Sequence, residues 1–417
     1  MSANYGVIPR KMTTVTMFKA KSYIGHKLCW PGDLVVNSLW AWMQGLGVTK
    51  HHGLISSAYS VYRARAAYSG YGDYFHYLLR ADVYKWELQT RSKGVWISRL
   101  QLSDIAFMDM PVLLPPPDEQ AAIVRFLDHA NRRIERTIRA KRKIIALLNE
   151  QKQVIIHGAV TRGLDPNVRL KPSGVQWLGE IPEHWDIWRI SRFAIVGNGS
   201  TPSRAKPSYW CNGAYPWLNS SHVNRGFIDS SDQFVTKIAL KECHLPRVPV
   251  GSVLIAITGQ GKTRGTAAIL NIEATINQHI AYITQKASVV TTEYLHLVLI
   301  AAYRTLRALS EDSGSTKGAL TCEELKRFKI AVPPLTEQKL LVGYINNETH
   351  SLNTIISRTE REINLLREYR TRLTADVVTG KLDVREAAVL LPDETEYPEL
   401  LADDSGNDEP EELTDES

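Results

Sequence analysis

The stretch Ala256-Ile257-Thr258-Gly259-Gln260-Gly261-Lys262-Thr263 carries the glycines, lysine and hydroxyl of a phosphate-binding loop, and it follows the apolar run Val253-Leu254-Ile255. A loop of that kind works by seating phosphates on the N-terminus of the helix that follows it, with the lysine on the outer phosphates and the threonine on magnesium. Here Ala256 stands where the strict form has glycine, and the continuation Arg264-Gly265-Thr266-Ala267-Ala268-Ile269-Leu270 lacks a helix-length apolar stripe. The expectation is that no nucleotide binds, and a Lys262→Ala variant that keeps the protein's activity would exclude an NTPase. The same residues suit a different chemistry: Gln260, Lys262 and Arg264 are an amide and two cations at a strand end, types that meet phosphate oxygens and base edges. The four cysteines, Cys29, Cys211, Cys243 and Cys322, are scattered, with no CxxC pair and no histidine at ligand spacing. That argues against a metal site and a disulfide framework, and for a reducing cytoplasm. Cys322, Asp376 and His279 are expected as core, cap or contact residues rather than catalysts.

Charge points the same way as the loop. The net charge is +6, but residues 393–417 hold twelve acidic and no basic residues, so the rest of the chain carries +18. A basic body is the electrostatic footprint of a nucleic-acid binder. The acidic tail has too few apolar residues to offset chain entropy and is expected to stay disordered. At 417 residues the chain is long enough for two or three domains, and its 44% hydrophobic content is that of a globular protein. The apolar runs are strand-sized, well short of the roughly 20 residues that cross a bilayer. Lys11, Lys19 and Lys21 interrupt the start before any signal-peptide core forms.

The elements that must position these groups are duplicated. Pro115-Pro116-Pro117-Asp118-Glu119-Gln120 recurs as Pro333-Pro334-Leu335-Thr336-Glu337-Gln338, shifted by 218, and the register holds to Leu164-Asp165 and Leu382-Asp383. After each motif the apolar residues fall at helical spacing: Leu127, Ile134, Ile145, Leu148 and Ile155 in the first copy, Ile345, Leu352, Ile363, Leu366 and Leu373 in the second. Lys141 and Thr359 interrupt the two stripes at the same point. About 40 helical residues span about 60 Å, too long for one small core to wrap. An antiparallel coiled coil between the two copies is therefore predicted, against the alternative of two helices in separate cores. The opposite face of the first helix is basic: Arg132, Arg133, Arg136, Arg139, Lys141, Arg142 and Lys143. Ahead of each helix lies a β-rich segment, the first ending in a strand-like Met110–Leu114, the second opened by Gly179 to Trp185. Gly32-Asp33-Leu34-Val35-Val36 matches Gly251-Ser252-Val253-Leu254-Ile255, and Tyr74-Phe75-His76 matches Tyr294-Leu295-His296, so both segments are versions of one domain. The first is shorter at its front by about 46 residues, since 31 residues precede Gly32 and 77 separate position 174 from Gly251.

Taken in order, the paired Pro-Pro-x-x-Glu-Gln motifs, Gly179 to Trp188, Gly199-Ser200-Thr201-Pro202-Ser203, Tyr209-Trp210, Tyr215-Pro216-Trp217-Leu218, Gly251 to Gly265, Asn277-Gln278 and Gly314 to Gly318 resemble the specificity (S) subunit of type I restriction-modification systems. The resemblance covers nearly the whole chain except the acidic tail, and it rests on the order and duplication of the motifs. It implies an α+β fold with two target recognition domains separated by two long antiparallel coiled-coil helices. The expected boundaries are 1–114 for a shortened first recognition domain, 115–165 for the first spacer helix, 166–332 for the second domain, 333–386 for the second helix and 387–417 for the tail. It further implies a non-catalytic subunit that reads a bipartite double-stranded DNA target. Its partners would be adenine methyltransferase (M) subunits using S-adenosylmethionine and restriction (R) subunits using ATP and magnesium, with no cofactor in this chain. The absence of an Asn/Asp-Pro-Pro-Tyr/Phe motif and of a helicase set agrees. The DNA-contact candidates are Ser200, Thr201, Ser203, Arg204, Asn219, Gln260, Lys262, Arg264, Asn277, Gln278 and Lys317 in the second domain. In the first they are Trp40, Trp42, Gln44, Lys50, His51, Arg63 and Arg65. The departure is the short first domain, which would read its half-site poorly unless the true start lies upstream. A rival from another class is a stand-alone coiled-coil DNA-binding protein, which a neighbouring methyltransferase gene would argue against.

Overall fold

The computed structural model describes residues 6–9, 22–65, 72–94, 100–259, 262–312 and 318–392. Gln260, Lys317 and the acidic tail from residue 393 lie outside the described residues. The fold is α+β, with two β-rich domains and two long helices. It divides into two compact units: one combines the chain up to Lys143 with the chain from Thr359, the other is Ile144–Arg358. Each long helix therefore contributes one part to each unit.

The helices are Pro117–Arg162 and Leu335–Val378. Both begin at the proline pair, where a missing N–H costs nothing, with Asp118, Glu119 and Glu337 favouring the positive helix end. Gly163 and Gly380, at φ 74° and 73°, lie just past the two ends in the left-handed conformation that closes a helix without Cβ strain. In the first unit Arg370 reaches Glu135 at 3.4 Å and Lys141 reaches Glu362 at 2.6 Å, so the second helix descends as the first ascends. In the second unit Lys152 donates to Asn353 at 2.8 Å. Of the apolar residues assigned to the seam, Leu127, Ile134, Ile345, Leu352, Ile363 and Leu373 are buried, while Ile145, Leu148, Ile155 and Leu366 are half-buried. Ile138 and Ile156 are more fully buried than several of these, because the straight helix drifts against a seven-residue repeat.

The second unit is built on a five-stranded sheet in the order Phe227–Ile228, Ala267–Leu270, Val253–Ala256, Ile280–Gln285, Ala194–Asn198. Neighbours run antiparallel except the first pair. Val253–Ala256 is buried on both faces, which explains its unbroken apolar run. A second sheet places Tyr215–Leu218 between Gln233–Val235 and Thr275–Ile276. Lys329–Val332 pairs with Asp186–Arg189 just before the second long helix. The core gathers Trp185, Phe193, Ile255, Tyr294 and Val298 with Ile156, Val160, Leu341 and Ile345 from the two helices.

The first unit holds the matching three-stranded core of that sheet, Leu46–Val48, Leu34–Asn37 and Tyr59–Tyr62, all antiparallel. Helix Gly72–Leu79 covers it, as Thr292–Ala301 covers the larger sheet, and Tyr74 and Tyr294 are both fully buried. Tyr77 of that helix donates to Asp128 on the first long helix. Met110–Leu114, expected as a strand, has no regular structure. Its counterpart Lys329–Val332 is a strand because Asp186–Arg189 supplies the ladder, and among the described residues the first unit has no such partner.

His76 supplies a pH lever in this unit. Its Nδ1 accepts the Val48 N–H at 3.3 Å, and burial, with Arg80 and Lys50 nearby, pulls its pKa down to about 4. The unfolded chain takes up a proton near the ordinary histidine value of about 6.5 and the folded one does not. Stability of the first unit should therefore be complete above that value and decline as pH falls toward 4. Denaturant melts from pH 7 to 4.5 check this: His76→Asn should flatten the decline.

Candidate nucleic-acid interface

The second-unit candidates converge because of strand direction. Val253–Ala256 ends, Ile280–Gln285 begins and Ala194–Asn198 ends at the same edge, as the pairs Ala256↔Ile280 and Asn198↔Ala281 require. The loops leaving that edge are 199–206, 257–266 and 277–279. Strand Tyr215–Leu218 runs parallel to Thr275–Ile276 and brings Asn219 to the same place, where the Asn277 N–H donates to Leu218 at 3.0 Å.

Side chains tie these loops into one surface. Thr201 donates to Gln278 at 2.6 Å, and Gln278 Nε2 lies 3.1 Å from the His279 ring, whose Nδ1 is 2.7 Å from Thr258. Asn224 donates to Thr263 at 3.2 Å, joining the turn Ser220–Arg225 to the loop that carries Lys262. Arg204 stacks over Trp210 at 3.7 Å and donates to Gln233 at 2.6 Å. A guanidinium held flat on an indole is pre-ordered for phosphate or base. Thr201, Ser203, Arg204, Lys262 and Gln278 are exposed, Ser200 half-buried.

Arg264 and Asn277 are scaffold instead. Arg264 is 6% exposed and donates through Nη1 to Gly318 at 2.6 Å, and Asn277, at 5%, accepts from the His279 N–H at 3.0 Å. Asn219 spends its carboxamide capping Ser221 and meeting His222. Thr258, His279, Asn224, Trp210 and Gln233 were not among the candidates. Only His279, adjoining Asn277-Gln278, carried a signal in its sequence position. The phosphate-loop resemblance ends in a turn that leads into Ala267–Leu270, a strand antiparallel to Val253–Ala256. Among the described residues of this loop there is no helix N-terminus for a phosphate to meet.

The first-unit candidates do not come together. Trp40, Trp42 and Gln44 sit on the hairpin after Leu34–Asn37, the end that matches the second-unit surface. Lys50, His51, Arg63 and Arg65 sit at the opposite end of the same sheet. Gln44, at φ 59°, donates to the Arg80 and Ala81 carbonyls at 2.8 and 3.0 Å, and Trp42 to Leu39 at 3.0 Å. Arg63 clamps buried Asp33 with two bonds of 2.8 and 2.7 Å, which hold that carboxyl below its ordinary range. Trp40, Lys50, His51 and Arg65 are exposed. The residues matching 277–279 are Ser56–Ala58, where Ser38 donates to Ala58 at 3.0 Å.

The Gln of each repeated motif has a structural task. Gln338, fully buried, accepts from the Thr291 N–H at 2.8 Å and donates to Val289 and Pro333, both at 2.9 Å. Gln120 donates to Pro115 at 2.7 Å in the same way.

Residues 182–365, which contain every described second-unit candidate, match the family model of the type I restriction modification DNA specificity domain. Over this segment the chain is similar to type I restriction-modification specificity subunits. Among curated relatives, the type I restriction enzyme EcoR124I/EcoR124II specificity subunit of Escherichia coli is 26% identical over 204 residues, 48% of this chain and 47% of that protein. The putative MjaX specificity subunit of Methanocaldococcus jannaschii is 25% identical over 331 residues, 75% and 68% of the two chains. The match thus spans about half the length of the first relative and two thirds of the second. A solved chain from work on complex assembly and conformational transition of the type I R-M system shares the fold at TM-score 0.57, with 17% identity over 87% of this chain and 85% of that one. Among the described residues no cluster of three or more His, Cys, Asp or Glu could hold a metal, and no helix is long and apolar enough to cross a membrane.

Proposed function

We propose that this chain is the DNA-reading subunit of a type I restriction-modification complex in the cytoplasm. It contacts double-stranded DNA through the loop edge of each recognition domain and carries adenine methyltransferase (M) and restriction (R) subunits that perform the chemistry. The convergence of Thr201, Ser203, Arg204, Lys262 and Gln278 on one edge, over a cross-linked loop framework, carries this reading. Hydroxyls and the carboxamide suit base edges, and the cations suit phosphates. Gln260 and Lys317 belong to the same proposed set by sequence position. Domain 1–114 would be the other recognition domain, with Trp40 on the corresponding edge; because its other candidates lie elsewhere on the sheet or are held by the backbone, it would define its half of the target less sharply than 166–332 defines the other.

The test is single-molecule sequencing of adenine methylation in cells expressing the chain with its genomic methyltransferase partner. A new bipartite methylated motif supports the reading. No motif, although the partner is bound, defeats it; a motif with both halves equally well defined defeats only the weaker reading by domain 1–114. Lys262→Ala is expected to weaken DNA binding across sequences alike and to lower the salt slope by about one, with no change in motif. Electrophoretic titration at several salt concentrations checks this.

A further inference from the structure

We infer that the acidic C-terminal tail docks along the basic face of the first long helix and competes there with DNA. Arg132, Arg136, Arg139 and Lys143 follow one another at spacings of four, three and four residues, so they form one stripe, with Arg133 beside it, and all five are exposed. The last described turn before the tail is fastened at the foot of this stripe. Helix Arg385–Val389 ends against the first long helix, where Arg125 Nη2 donates to the Leu391 carbonyl at 2.6 Å. From Arg125 the stripe begins about 10 Å along the helix axis and ends about 27 Å along it. Twenty-five residues follow Pro392, with a reach of up to about 80 Å, and twelve of them are acidic. Anchor, reach and charge all direct the tail onto the stripe of its own unit. Tethering keeps its effective concentration near the millimolar range, so weak attraction suffices. A polyanion seated there neutralises cations that would otherwise attract phosphate of any sequence. The tail thus suppresses indiscriminate binding, which is the sequence-independent, salt-dependent component of DNA affinity.

Two measurements test this. In the first, arbitrary-sequence duplex is titrated with the full chain and with a chain ending at Pro392, each also carrying Arg132→Glu, Arg133→Glu, Arg136→Glu and Arg139→Glu. Removing the tail should tighten binding by about ten-fold or more at low salt and steepen the salt slope, and the stripe reversal should abolish that gain. In the second, a labelled 393–417 peptide is added to the truncated chain and followed by fluorescence anisotropy. It should bind, and bind measurably less to the stripe-reversed chain. This arm does not depend on the chain being a DNA reader. An unchanged affinity on truncation, the same gain with the stripe reversed, or equal peptide binding to both chains overturns the inference. Should the reversed stripe unfold the helix, a full chain with every tail Asp and Glu replaced by its amide must still reproduce the truncation.

Discussion

Replacing Gln338 by leucine should cost about 3 to 5 kcal/mol in the second unit, more than any surface change in the protein. The side chain makes three hydrogen bonds with no exposure to water, two to the Val289 and Pro333 carbonyls and one from the Thr291 N–H. Leucine matches the volume closely and satisfies none of them, and each buried backbone group left unpaired costs about 1 to 3 kcal/mol. Thr291 caps helix Thr292–Ala301, and Pro333 precedes the second long helix, so the loss loosens two helix starts at once. Gln338→Glu tests the polarity of the account. It keeps an acceptor for Thr291 but faces a carboxylate oxygen toward two carbonyls, and should be no better than leucine. Urea melts of the three proteins check the order; a leucine variant within about 1 kcal/mol of the parent would contradict this assignment.

Gly199→Ala should remove the second recognition surface. A Cβ at this position would stand 1.7 Å from the Ile276 carbonyl oxygen, a backbone atom that cannot swing aside. The strands must separate, breaking the Ser200 N–H bond to Ile276 at 3.1 Å and carrying Thr201 away from Gln278. Overpacking of this kind costs about 3 kcal/mol or more when backbone is the obstacle. The expected result is a lower melting temperature together with loss of sequence-specific binding. Gly343→Ala is the control. It lies within the second long helix with nothing within 4 Å of the added methyl, and should stabilise by about 1 kcal/mol. Calorimetry and DNA titration of both variants check the pair.

The long helices were legible because their spacing is set by a period, and a period survives without knowledge of the partner. The repeated Pro-Pro-x-x-Glu-Gln motif marked the duplication, whereas the buried role of Gln338 and Gln120 depends on carbonyls that only the fold brings to them. Three expectations concerned what a neighbour supplies, and the sequence does not display neighbours. Met110–Leu114 has the composition of a strand but no ladder to join. Arg264 has the charge of a phosphate ligand but is turned inward to Gly318. Gln44 takes a left-handed backbone, uncommon outside glycine, and its carboxamide closes the end of helix Gly72–Leu79 at Arg80 and Ala81. In the first domain, choosing residues by polarity alone scattered them over two ends of one sheet. Strand direction was the missing information.

Among the described residues the main hydrophobic cores of the two units share no residue, and the main sheet of the first has three strands where that of the second has five. A heating scan should therefore record two transitions rather than one, with the smaller first. Between them lies a temperature range in which one half of the protein is molten while the other still holds its own segments of both long helices. If so, no single melting temperature describes this molecule. A variant's damage must be assigned to one transition or the other before it is compared with any other variant.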